Sequence, residues 1–150
     1  MASVPDTDNF SLQDVVNVIG GPGSLVACFT YAVDSYFDPA YKGSKTSLLN
    51  FRNYQEPYIA VNNTYGVFHF NKGILYGANN TTVSYAKGTI SSVTWATGTH
   101  FYYTRVGDVF TIICNGDNYS GTIWTDTLTF HLSVGGLTAV FTATQFTSPN

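Results

Sequence analysis

Three histidines (His69, His100, His131), two cysteines (Cys28, Cys114) and nine acidic residues are what this 150-residue chain offers to proton transfer, metal binding or nucleophilic attack. Their spacing points away from all three. Each histidine sits inside a strand-like run with no second ligand at metal-binding distance along the chain, which suits surface or cross-strand packing. Neither cysteine has a histidine or another base nearby to generate a thiolate, so both read as buried, unbridged thiols. The acids are too scattered for the paired carboxylates of glycoside hydrolysis. Gly20-Gly21-Pro22-Gly23 has the glycines of a phosphate loop but neither its lysine nor its strand-to-helix setting, and reads as a turn. Asn115, Asp117 and Asn118 do not match the spacing of a calcium loop and read as a polar turn. No catalytic, metal or cofactor-binding set is expected.

What remains is aromatic surface: 11 Tyr, 11 Phe and 2 Trp. Neighbours in the Phe101-Tyr102-Tyr103 run must point to opposite faces of a strand, which turns Tyr102 outward together with His100. Trp95, Tyr102 and Trp124 are candidate stacking platforms for a glycan; for the tryptophans the competing assignment is the core of a β-domain. A second aromatic concentration is the run FDPAYKGSKTSLLNFRNY, Phe37 to Tyr54. Asp38-Pro39 makes a turn, and Ser47 can cap a last helical turn that sets Leu48 and Phe51 on one side. Phe37, Tyr41, Leu48, Phe51, Arg52 and Tyr54 are the candidate partner-docking residues, with Arg52 expected to pair with Asp34, Asp38 or an acid on a partner. The alternative is that this run seals one end of a core.

The elements that must carry these residues change character near Gln55-Glu56-Pro57. Residues 1–56 hold six acidic and three basic groups, and residues 57–150 three of each. Leu12, Val15, Val16 and Ile19 recur at helical spacing, with Ser11 as N-cap, Asp14 three residues on, and Gly20 as the stop. A second helix is predicted from Ser24 to about Tyr36, on a stripe of Leu25, Val26, Cys28, Phe29, Ala32, Val33 and Tyr36. Beyond residue 57 the period is two. Leu128, Phe130, Leu132 and Val134 alternate with Thr127, Thr129, His131 and Ser133, and Leu137 to Ala143 repeats the pattern after a Gly135-Gly136 turn. Gly107-Asp108 marks another hairpin. Eight or nine short strands result.

The expected fold is therefore mainly β with a short N-terminal α-helical segment: residues 1–56 as a helical attachment segment, and residues 57–150 as an antiparallel, immunoglobulin-like β-sandwich lacking the Cys…Trp…Cys signature.

Composition narrows the function classes. Charged residues make up only 10% of the chain, against about 25% in typical soluble domains, and 20 Thr with 12 Asn supply the polarity instead. A net charge of −3 argues against nucleic-acid binding, which needs clustered Lys and Arg. The opening MASVPDTDNF lacks the basic and apolar regions of a secretory signal, and no apolar run is long enough to span a bilayer, so neither secretion nor membrane insertion is expected.

Residues 10–54, FSLQDVVNVIG…SLVACFTYAVDSYFDPAYKGSKTSLLNFRNY, resemble an N-terminal segment of structural proteins of tailed phages of Bacteroidota. The ending SLLNFRNY also resembles a short run of phage tail and fibre proteins. The match covers under a third of the chain and carries no catalytic residues. It implies a non-enzymatic virion component made in the host bacterial cytoplasm: a capsid decoration protein, head fibre, tail fibre or baseplate subunit. Its partners would be other virion proteins (capsid, portal, tail or baseplate) and further copies of itself. The alternative, from a different class, is a carbohydrate-binding module for mucin or host-surface glycans. The two can coexist on one particle.

Overall fold

A computed structural model describes residues 2–71, 74–76, 79–116 and 118–147. The chain divides into two compact units, Met1–Tyr58 and Ile59–Asn150.

In the N-terminal unit, helix α1 (Leu12–Ile19) is closed at both ends by local chemistry. Ser11 Oγ accepts from the Asp14 amide, and the Asp14 carboxylate accepts from the Ser11 amide at 2.6 Å, forming a capping box. Gly20 ends the helix with φ of 73°, a left-handed conformation that glycine adopts without a Cβ penalty. Helix α2 runs only over Leu25–Tyr31, shorter than the sequence stripe predicts. Ala32 and Val33 turn extended because tertiary hydrogen bonds take over: the Val33 amide donates to Tyr54 Oη, and the Gln55 amide to the Tyr36 carbonyl. Val26 and Val33, both in the predicted stripe, are exposed, while Cys28 is buried. Two 3-10 turns follow, Asp34–Tyr36 and Leu48–Phe51. The extreme N-terminal arm lies back along residues 53–56, with the Val4 amide donating to the Tyr54 carbonyl at 2.8 Å and Ser3 bridging Gln55. Val4, Val15, Cys28, Phe37, Phe51 and Tyr54 form the core of this unit.

Among the described residues the C-terminal unit shows nine strands: β1 (Tyr58–Val61), β2 (Tyr65–Asn71), β3 (Ile74–Tyr76), β4 (Asn79–Ala86), β5 (Ile90–Trp95), β6 (Phe101–Val106), β7 (Val109–Cys114), β8 (Trp124–Leu132) and β9 (Thr138–Gln145). They form two sheets, β1-β4-β7-β6 and β3-β2-β9-β8-β5. Alternating side chains from both meet in one core, in which Phe68, Leu128, Phe130 and Phe141 of the second sheet face Val83, Phe101, Phe110 and Ile112 of the first. The molecule is thus mainly β, with a sandwich-like arrangement.

The expectation of a wholly antiparallel sandwich needs one correction. Strand β2 pairs with β9 in parallel, Tyr65 opposite Thr142 and Phe68 opposite Gln145. The cause is the turn at residues 62–64: β1 and β2 are consecutive but belong to different sheets, and the chain crosses over to lie beside the last strand. Gly66 permits that approach, since a Cβ there would stand 2.6 Å from Phe141 Cζ. The β6–β7 hairpin turns on Gly107-Asp108 as the sequence indicates. The β8–β9 link is longer than a two-residue turn: β8 stops at Leu132, whose amide bonds Leu137, and Val134 lies in the link, exposed.

Candidate functional site

The run from Phe37 to Tyr54 folds as an aromatic knot tied by short polar stitches. The Phe51 ring stacks on Phe29 at 4.5 Å between centroids and lies 5.1 Å from Phe37, while Tyr54 meets Phe37 edge-on at 4.9 Å. Tyr54 keeps its hydroxyl satisfied by accepting from the Val33 amide, and burial pushes that phenol above its ordinary range. Asn50 does the stitching: Oδ1 accepts from the Thr46 and Ser47 amides, and Nδ2 donates to the Tyr41 carbonyl. Ser47 caps the last 3-10 turn, with Leu48 packed on the core beside buried Phe51. Gly43 has φ of 49° and lies where a Cβ would stand 2.7 Å from Asn50 Nδ2, so the stitch and the glycine require each other.

The structure divides the six candidate docking residues. Phe37, Phe51 and Tyr54 are buried in the core of their own unit, and Leu48 and Tyr41 are half-buried. Arg52 pairs with neither Asp34 nor Asp38. Its Nε donates to Asp6 at 2.8 Å and Nη1 to Asp8 at 2.6 Å, and its guanidinium lies over the Tyr41 ring. The returning N-terminal arm is what brings Asp6 and Asp8 there. Asp34 is held by Lys42 and Lys45, and Asp38 accepts from Asn53 Nδ2 at 2.8 Å. The exposed large apolar side chains of this unit are Val26 (78% exposed), Tyr31, Val33 and Leu49 (48% exposed).

The two lysine hydrogen bonds, aided by the charges themselves, hold the Asp34 carboxyl down to about 2. We expect its titration, followed by carbonyl NMR, to return toward the ordinary value of 3.8 in the Lys42→Ala, Lys45→Ala double variant. An unchanged midpoint would refute the pairing. Because this folded-state pKa is depressed, the pairing stabilises above the unfolded pKa and is lost as pH falls through about 2.

The glycan candidates do not share one platform. Trp95 packs against the core and stacks on Phe101 at 6.0 Å, with its Nε1 buried and lacking a hydrogen-bond partner. Trp124 also packs against the core and stacks on His100, ring centroids 3.8 Å apart. His100 therefore accompanies Trp124 rather than Tyr102. Tyr102 is 46% exposed on β6, in the other sheet from both tryptophans.

The remaining chemistry-bearing side chains are dispersed. His69 stacks on Phe146, and His131 lies 3.3 Å from Thr94 Oγ1. Among the described residues no three His, Cys, Asp or Glu side chains gather as a metal set. No disulfide joins Cys28 and Cys114, and both thiols are buried; burial raises the pKa of Cys28. Asp117 of the polar turn lies outside the described residues. Asn118 is buried there, donating to the Thr122 and Gln145 carbonyls while its Oδ1 accepts from the Ser120 amide and hydroxyl. Among the described residues no helix is long and apolar enough to cross a membrane.

Two side chains matter here that sequence reasoning passed over. Asn50 sits three residues after Ser47, the spacing of a capping box, so its local role was available from the pattern. Asp126 had no such signal. It lies on the inward side of β8 and accepts from Thr97 N, Thr97 Oγ1, Gly98 N and Thr127 N, thereby anchoring the β5–β6 link.

Compared with known proteins, the chain matches no protein-family model and no curated protein.

Proposed function

We propose that this is a non-enzymatic structural protein of a bacteriophage virion, held by its N-terminal unit and presenting the β-unit on the capsid or tail surface. The observation that carries the reading is the independence of the two cores. The segment whose sequence resembles phage structural proteins closes a hydrophobic core of its own around Phe37, Phe51 and Tyr54, and keeps Val26, Tyr31, Val33 and Leu49 outside it. Apolar side chains left outside a completed core suit a docking surface. The non-enzymatic reading draws on the dispersed placement of the histidines and cysteines, and on Asp6, Asp8, Asp14, Asp34, Asp38 and Asp126 being held in ion pairs or structural hydrogen bonds.

For the β-unit we infer an immunoglobulin-like topology. Equating β1, β4, β7 and β6 with strands A, B, E and D, and β9, β8 and β5 with G, F and C, reproduces the ABED and GFC sheets of that fold. The β2–β3 ribbon is then an addition beside the last strand.

The test is physical association. In a gradient of particles from the producing host, the protein should co-sediment with virions, and Val26→Asp with Leu49→Asp should deplete it from them. Intact particles lacking the protein would overturn the reading. A glycan-binding role is the second reading, favoured by the exposed Tyr102 ring; a glycan array left blank by the purified protein would remove it.

A further inference from the structure

A thiol and a carboxamide are pressed together where strands β7 and β9 end. Cys114 closes β7 in one sheet and Gln145 closes β9 in the other, so their side chains meet across the sandwich. Both are sealed from solvent: Cys114 is 4% exposed and Gln145 fully buried. Cys114 Sγ lies 2.6 Å from Gln145 Oε1. An ordinary O–H···O bond is about 2.7–2.8 Å long, and sulfur is a larger atom than oxygen. A thiol that only donates to an amide stands farther off. The separation found is that of a sulfur and an oxygen bonded to one carbonyl carbon, as in a thioester.

The surroundings hold both groups in place. The Gly116 carbonyl accepts from Gln145 Nε2 at 3.1 Å and lies 3.7 Å from Cys114 Sγ, so one backbone oxygen faces the amide nitrogen and the thiol alike. Asn118, itself fully buried, donates to the Gln145 carbonyl at 3.3 Å. Phe101 stands opposite Cys114, and Trp124 opposite Gln145, in the registers of their sheets, and both pack in the same core. This enclosure keeps out the water that would hydrolyse a reactive acyl group.

We propose that Cys114 and Gln145 form an internal thioester, joining β7 to β9 and leaving an acyl group that a primary amine can take up. In the step, Sγ bonds to Gln145 Cδ while the thiol proton passes to Oε1, its hydrogen-bond acceptor. The tetrahedral adduct then collapses: the carbonyl re-forms, the bond from Cδ to Nε2 breaks, and the proton leaves with that nitrogen as ammonia. Nothing is oxidised or reduced. Contact between the groups replaces a chance encounter, an effective molarity of about 10⁵–10⁸ M for well-oriented pairs, and escape of ammonia draws the exchange forward. The bond links positions 31 residues apart and ties one sheet to the other. It rests on this pair alone, and a result against it leaves the virion reading standing.

Mass spectrometry of the purified full chain, unfolded in acid immediately before measurement, tests it. The wild type should weigh less than its sequence by one ammonia. In urea at mildly acidic pH, an alkylating reagent should modify Cys28 and spare Cys114. Methylamine added in urea should cleave the link, leaving an N-methylamide on residue 145 and one new thiol at Cys114. These readings on the wild type need no variant to fold. Cys114→Ala and, separately, Gln145→Ala should each carry the full mass of their sequences. A wild type of full mass with both cysteines alkylated overturns the proposal. So does an ammonia deficit that persists in Cys114→Ala, as a succinimide at Asn115-Gly116 would give, and so does methylamine found anywhere but on residue 145.

Discussion

Replacing Phe51 by alanine is expected to destabilise the N-terminal unit by about 3–5 kcal/mol, the range for removing a fully enclosed aromatic ring. Phe51 is fully buried and touches Phe29, Phe37 and Tyr54 within one cluster. A cavity there cannot be filled by a local shift, because Asn50 and the Tyr54–Val33 hydrogen bond fix the chain on either side. The two units can be followed separately. Both tryptophans, Trp95 and Trp124, lie in the C-terminal unit and report on it by fluorescence; limited proteolysis within residues 1–58 reports on the other. The variant should show cleavage of residues 1–58 at much lower urea than the wild type. A loss below about 1 kcal/mol, the size of a typical surface-to-core average change, would mean that the aromatic knot does not hold the unit together.

The second large effect is expected at Asp126. Its carboxylate accepts from Thr97 N at 3.0 Å, Thr97 Oγ1 at 2.8 Å, Gly98 N at 2.8 Å and Thr127 N at 2.9 Å. Asp126→Ala strips those donors of their acceptor inside a covered site and should cost roughly 2–4 kcal/mol. Asp126→Asn keeps the shape and one acceptor but presents an NH2 group where a donor now points. The sign of the pH dependence follows from the same bonds. Burial pushes this carboxyl up, but the hydrogen bonds from Thr97, Gly98 and Thr127 outweigh it and leave the pKa below the ordinary 3.8. A depressed folded pKa stabilises above the unfolded value and is lost as pH falls through the folded one. Urea midpoints, read by tryptophan fluorescence, should therefore fall below pH 4 in the wild type more steeply than in Asp126→Asn. Equal acid sensitivity would show that the carboxylate is not what the link depends on.

Local chemistry was legible in the sequence and distant pairing was not. Helix α1 could be placed from Ser11, Asp14 and Gly20 because its caps lie within one turn of the residues they serve. The alternation in β8 marked Leu128, Phe130 and Leu132 as buried for the same reason. Helix α2 was overextended because its last turn is decided by Tyr54 and Gln55, some twenty residues on. Likewise, Arg52 looked toward the nearest acids and found Asp6 and Asp8, which only the returning arm brings within reach. The parallel partnership of β2 with β9 left no trace in either strand, since the alternation of a strand says which face is buried and not which neighbour it has. Candidate docking residues suffered from a related ambiguity: a dense aromatic run signals contact, but its composition is the same whether the contact is with a partner or with itself.

The β2–β9 pairing has a consequence for the order in which the protein can be made. Strand β2 is among the first parts of its unit to leave the ribosome, yet on the side away from β3 it cannot be flanked until residues 142–145 have been synthesised. Such long-range closure is slow, and during translation the hydrogen-bonding edge of β2 waits for nearly the whole unit to emerge. The N-terminal unit, by contrast, has all its core residues available once Tyr58 is clear. Nascent chains would thus carry a completed head and an unfinished sheet, and the waiting edge is the point at which a holding chaperone would act.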